Sequence, residues 1–243
     1  IIDAYTIPLL TFCSFIPFAI ANTIVPAIAS ALAGKKQQSV HYYIQKAFLF
    51  SLIPSIFLLI NLFFYSNEYM LLIYKTTDGA AYVKYLAVTF VCYYLHIPTI
   101  AILQALGKNK TVFITSTISN FLRLFFIVFL SFIPFIGKHS VMIATTMTMV
   151  LGFLLDFIQL LKQTHYKINL KNLLNLSLIS LICFFVLILF NRFHVNYLIA
   201  TTISGIIYFL LCIIYKLFWI ESLFSKFKRK KKIVPKQSFF QKE

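Results

Sequence analysis

The sequence has almost no acid. Its 243 residues include 6 Asp and Glu against 22 Lys and Arg, and only 12% are charged at all. A soluble domain carries roughly twice that charged fraction, so a soluble fold is excluded. A 60% hydrophobic and 18% aromatic composition, with a mean hydropathy of +0.89, describes a polytopic membrane protein. Carboxylates are too few for catalysis to be expected. Asp3, Glu68, Asp78, Asp156, Glu221 and Glu243 are the whole set, and only Asp156 falls inside an apolar run. There is no H-E-x-x-H, no P-loop and no Ser–His–Asp pattern in a polar setting, so the chain does not read as an enzyme. Cys13, Cys92, Cys183 and Cys212 all sit in apolar runs without metal-ligand spacing, and the histidines are scattered singly. No metal or cofactor is expected. The net charge of +16 lies in loops and in the C-terminal tail. That pattern follows the positive-inside rule rather than a nucleic-acid surface, and no nucleic-acid partner is expected.

What the chain does have is long apolar stretches. About 20 such residues span a bilayer as a helix, and seven runs qualify: 5–33, 47–65, 85–106, 111–133, 141–161, 173–190 and 197–219. The fold class is therefore all-α, a polytopic bundle of about seven transmembrane helices. With the N-terminus outside, the inner loops hold Lys35, Lys36, Lys46, Lys108, Lys110, Lys162, Lys167 and Lys171 plus the tail cluster. The outer segments hold only Lys75, Lys84, Lys138 and Arg192. This asymmetry puts the C-terminus in the cytoplasm and the chain in the cell membrane. The polar-ended segment between the second and third runs reads as a short interfacial helix and turn.

Proline divides the chain. Pro8, Pro17, Pro26, Pro54 and Pro98 fall in the first three runs and Pro134 at the end of the fourth, while the last three have none. Because proline removes a backbone hydrogen bond and kinks a helix, the expected division is a lobe of five mostly kinked helices at 1–161. An appended hairpin at 162–219 and a basic cytoplasmic tail at 220–243 follow. The tail, "KFKRKKK" at its centre, reads as a contact for anionic lipids.

Two polar stripes interrupt the apolar helices. Ser116, Ser119, Asn120 and Arg123 recur at spacings of three and four in the fourth run, so they share a face. Thr145, Thr148, Gly152, Asp156 and Gln159 do the same in the fifth. An arginine at mid-span costs on the order of 2.5–3.5 kcal/mol, so its face should look into a bundle or a wet cavity. Arg123 lies about 18 Å from the cytoplasmic start of its run and Asp156 about 8 Å from the cytoplasmic end of its own. The gap of about 10 Å exceeds a direct contact, although an arginine can snorkel across part of it. Arg123 then either holds the bundle together or meets a substrate.

At "NTIVPAIASALAGKK" and "AILQALGKNK" the chain resembles the multidrug/oligosaccharidyl-lipid/polysaccharide exporter superfamily. Val25, Pro26, Ala27, Ile28 and Ala31 match one of its motifs, and Ile102, Leu103, Gln104, Leu106, Gly107 and Lys108 another. Ser30 stands where an acidic residue is usual and Ala105 where a glycine is usual. The branch it resembles is the stage V sporulation protein B-like polysaccharide flippases, which have fourteen helices. The resemblance makes these runs helices eight to fourteen, the C-terminal lobe plus a hairpin, with the N-terminal lobe missing. It implies transfer of a polyprenyl-linked saccharide from the inner to the outer leaflet. Arg123, Asn120, Ser119, Ser116 and Asp156 are the candidate substrate-binding residues. A cation-coupled multidrug extruder of the same superfamily is the alternative, as is a truncated, non-transporting membrane protein.

Overall fold

The structure, a computed structural model, describes residues 2–164, 166, 169–215 and 217. Among them there is helix and turn but no strand. A π-helical turn at Ile2–Thr6 leads into α1 (Ile7–Phe12) and α2 (Phe15–Ala33). There follow α3 (Gln37–Phe64), α4 (Ser66–Tyr74), α5 (Ala80–Ala105), α6 (Asn109–Ser131), α7 (Ser140–Thr164), α8 (Leu170–Arg192) and α9 (Tyr197–Ile214). Seven of these segments are long and apolar enough to cross a membrane. The short polar-ended stretch after α3 forms a helix, α4, as its sequence suggested. The last residues of the seventh run and the tail at 220–243 lie outside the described residues.

The first apolar run is not one helix. It breaks at Cys13 and Ser14, between α1 and α2. Pro17 explains the position. It offers no N–H to the carbonyl four residues back, and its ring crowds that carbonyl, which belongs to Cys13. Ser14 closes the break by bonding the carbonyl of Thr11 through both its N–H and its hydroxyl. Pro26, Pro54 and Pro98 lie inside helices that continue past them.

The helix ends that carry the two sequence motifs are built alike. After α5 the chain turns through Gly107 at φ +73, and the Lys108 N–H reaches back to Leu103 O at 2.9 Å. After α2 the Lys36 N–H reaches back to Ala31 O at 2.9 Å. Each is a left-handed C-cap that satisfies an orphan carbonyl. In the second turn the left-handed position falls on Lys35, at φ +53, one residue beyond Gly34.

Within the bundle α5 is central, packed on α2, α3 and α7. On the outer flank, α6 lies mainly against α7 and buries only Val112 fully. Away from it, α8 and α9 pack on each other and on α3. Small residues make that docking close. On α9, Ala200, Ser204, Tyr208 and Cys212 follow at intervals of four and are buried. A Cβ placed on neighbouring Gly205 would stand 3.0 Å from Phe57 Cζ of α3. The Tyr208 hydroxyl donates to Ile53 O at 2.9 Å, which ties α9 to α3 inside the apolar core. Lipid tails are as apolar as leucine, so this close approach and this hydrogen bond supply the attraction that hydrophobic burial cannot.

Candidate functional site

The helix α7 explains the polar cluster. Ser140, Ala144, Thr148, Gly152, Asp156, Leu160 and Thr164 recur every four residues and are all buried. This stripe of small and polar side chains is the surface against which α5 and α6 pack. Thr148 returns its hydroxyl to its own helix, to Ala144 O at 2.8 Å. Asp156 has no such local option and needs partners from neighbouring helices.

It finds two. Its Oδ2 lies 2.7 Å from Nε2 of His96 on α5, and its Oδ1 accepts from the Thr115 hydroxyl of α6 at 2.6 Å. The carboxylate is 1% exposed, so both oxygens are engaged in a dry site. A buried carboxylate without such bonds would be strongly unfavourable. Asp156 therefore joins three helices at one level, with His96, at 19% exposure, at its edge.

One turn above, the packing is tight. A Cβ on Gly152 would stand 3.1 Å from Ser119 Oγ and 3.5 Å from His96 Cε1. The glycine lets α6 approach α7 and brings Ser119 over the histidine. The Ser119 hydroxyl is buried and has no hydrogen-bond partner among the described residues.

Arg123 is one turn further, eight residues and about 12 Å along α6 from Thr115. Asp156 and Arg123 are thus bonded to different groups. The ion-pair partner of Arg123 is Asp3 of the N-terminal π turn, with Nη2 to Oδ1 at 3.6 Å. Both are open, Arg123 at 37% and Asp3 at 72% exposure, so the pair is weak in energy. The Arg123 Nε is buried and has no partner among the described residues. Asn120 on the same helix is exposed and Ser116 half-buried. The sequence-derived stripe is thereby divided. Ser119, Ser116, Asn120 and Arg123 form a donor-rich face in which the Ser119 hydroxyl and Arg123 Nε have no partner among the described residues, while Asp156 is locked within the bundle and Gln159 is half-buried near it.

Three members of this arrangement were missed by sequence reasoning: His96, Thr115 and Asp3. His96 could have been found, because an ionisable side chain inside an apolar run faces the bundle or a cavity by default. Asp3 gave no signal, since it precedes the first apolar run and meets α6 only through tertiary packing.

The comparisons with known proteins agree with this architecture. The MatE family pattern matches residues 4–129, from the N-terminal turn to the end of α6. Stage V sporulation protein B of Bacillus subtilis (strain 168) is 28% identical over 185 residues, which are 76% of this chain and 36% of that protein. Among solved structures, lipid II flippase MurJ in an inward closed conformation superposes with a TM-score of 0.63 at 20% identity. It covers 90% of this chain and 48% of its own. The chain thus spans less than half the length of either relative. The motif-bearing turns after α2 and α5 and the matched segment lead to one conclusion: the chain belongs to the MatE family, within the multidrug/oligosaccharidyl-lipid/polysaccharide exporter superfamily.

Proposed function

We propose that the chain is the C-terminal part of a flippase. It carries lipid-linked oligosaccharide or polysaccharide precursors across the cytoplasmic membrane, with the lysine-rich helix ends and the tail in the cytoplasm. The observation that carries the reading is the state of Arg123. Among the described residues this mid-helix guanidinium is held only by an open 3.6 Å approach to Asp3, and its Nε and the nearby Ser119 hydroxyl have no partner there. Buried donors in that state are unfavourable until an acceptor arrives. A polyprenyl phosphate or pyrophosphate supplies several anionic oxygens that suit a guanidinium fork. Asn120 and Ser116 add neutral donors for the same group. The similar solved structure is that of a lipid II flippase, MurJ, which supports the same substrate class.

Asp156 acts differently in this account. It positions α5, α6 and α7 through His96 and Thr115 and touches no substrate. That geometry also counts against the multidrug alternative, which needs a carboxylate open to the cavity. The single carboxylate within the transmembrane helices of this chain has both oxygens occupied.

The test is reconstitution of the complete protein, with its N-terminal lobe, in liposomes. One arm follows a fluorescent polyprenyl-pyrophosphate saccharide between leaflets, the other a cationic dye under a sodium or proton gradient. Movement of the saccharide lipid and not the dye supports the proposal; the reverse result overturns it.

A further inference from the structure

At the lysine-rich end of the bundle, between α3 and α8, a crevice of about 450 Å³ opens to the surface. Lys46, Lys171, Asn169, Asn172, Asn175 and Tyr42 line it. The Lys46 ammonium lies 4.4 Å from the centroid of the Tyr42 ring, a stacking that fixes a flexible side chain at the wall. Deeper in, an apolar chamber of about 240 Å³ adjoins it, walled by Phe48, Leu52, Leu95, Phe153, Phe157 and Tyr166. The two spaces share Gln45, Leu49, Asn169 and Asn172, so one continues into the other.

The chemistry changes along this path. The mouth has two ammonium groups and four amides, and among the described residues no Asp or Glu lines either space. Burial pushes the Tyr166 hydroxyl up to about 12, so it adds no negative charge at physiological pH. The inner walls are rings and aliphatic chains, fixed by edge contacts of Phe48 with Phe157 and of His41 with Tyr166. His41 Nε2 also lies 2.8 Å from Thr164 O, which ties the start of α3 to the end of α7 beside the chamber. A cationic, amide-rich mouth at helix ends, backed by an apolar pocket, is complementary to a molecule with an anionic head and an apolar tail.

We propose that this crevice binds one anionic membrane phospholipid. Its phosphate meets Lys46 and Lys171, with Asn169, Asn172 and Asn175 donating beside it, and one acyl chain enters the chamber between α3, α5 and α7. The site is separate from Arg123, and it stands whether or not the chain belongs to a flippase. It also has a mechanical consequence. A lipid seated there fills the gap between α3 and the start of α8, and so joins the hairpin to the rest of the bundle.

The experiment uses the full chain in a zwitterionic detergent, titrated with phosphatidylglycerol or phosphatidylcholine and read by native mass spectrometry. One retained phosphatidylglycerol per chain is expected, with phosphatidylcholine binding much weaker. Lys46→Gln with Lys171→Gln should weaken phosphatidylglycerol binding about tenfold or more, since two charge-assisted contacts are lost. Lys35→Gln with Lys36→Gln, at the same end but outside the crevice, should change it by less than about twofold. Leu95→Trp, which fills the chamber without touching charge, should also weaken it. Lys171→Gln alone, at an exposed position, keeps the test valid if the double variant does not fold. Equal binding of the two lipids overturns the proposal. So does an equal loss in the Lys35/Lys36 control, unchanged binding in the Lys171 variant, or displacement by inorganic phosphate with no effect of Leu95→Trp.

Discussion

Asp156 and His96 meet at 2.7 Å between α7 and α5, sixty residues apart in sequence, and Thr115 of α6 completes the contact from the other side. Removing one partner of a buried pair leaves the other uncompensated. Asp156→Ala is expected to destabilise the folded chain by about 3 kcal/mol. Asp156→Asn, which keeps an oxygen for Thr115, should cost less. In a double-mutant cycle, Asp156 and His96 should couple by about 1 kcal/mol or more, while Asp156 and Arg123 should be additive. Thermal unfolding in detergent measures all of these. Additivity of Asp156 with His96 would remove the three-helix clamp.

The turn after α2 holds a lysine in a left-handed conformation where the equivalent turn after α5 holds a glycine. A side chain there is strained. Lys35→Gly should therefore stabilise the protein, by up to about 1 kcal/mol. Gly107→Ala should do the opposite by a similar amount, because nothing crowds a Cβ at Gly107 and only its φ is unfavourable. Melting temperatures of the two variants check the pair of signs.

Docking of α9 on α3 depends on the missing side chain at Gly205. Gly205→Val should overpack against Phe57 and destabilise by about 1–3 kcal/mol. Phe57→Leu in the same chain should recover part of that loss. Trypsin sensitivity of the α8–α9 hairpin, compared across the single and double variants, reports the result. No recovery would mean that the hairpin is held elsewhere.

How much of this was legible in the sequence depends on how local the cause is. The seven apolar runs, the short α4 helix and the polar faces of α6 and α7 follow from hydropathy and spacing. The break at Cys13 needs one more step, since Pro17 acts on the carbonyl four residues behind it. The full α7 stripe was only partly read, because Ser140, Ala144 and Leu160 look ordinary until α5 and α6 are laid on them. The partners of Asp156 and Arg123 were out of reach. Each comes from a helix whose neighbour is set by tertiary packing, and depth along one helix predicts only which partners are too far.

The orientation has a direct check. Lys108 and Arg192 lie at opposite ends of the bundle, after α5 and at the end of α8. In an otherwise cysteine-free variant, Lys108→Cys should react with an impermeant thiol reagent only after the cytoplasmic side is opened. Arg192→Cys should react in intact cells. Labelling of both from one side would refute the assignment.

The central claim is that the Arg123 face receives the phosphate of a lipid-linked saccharide. The most direct measurement is the flipping rate of a fluorescent polyprenyl-pyrophosphate saccharide by the complete protein in liposomes, alongside its membrane abundance. Arg123→Gln should abolish flipping with abundance preserved. Arg123→Lys should keep a reduced rate, because the charge remains while the two-pronged geometry is lost. Asp3→Asn should leave flipping largely intact, since that exposed pair holds little energy. Normal flipping by Arg123→Gln would contradict the account.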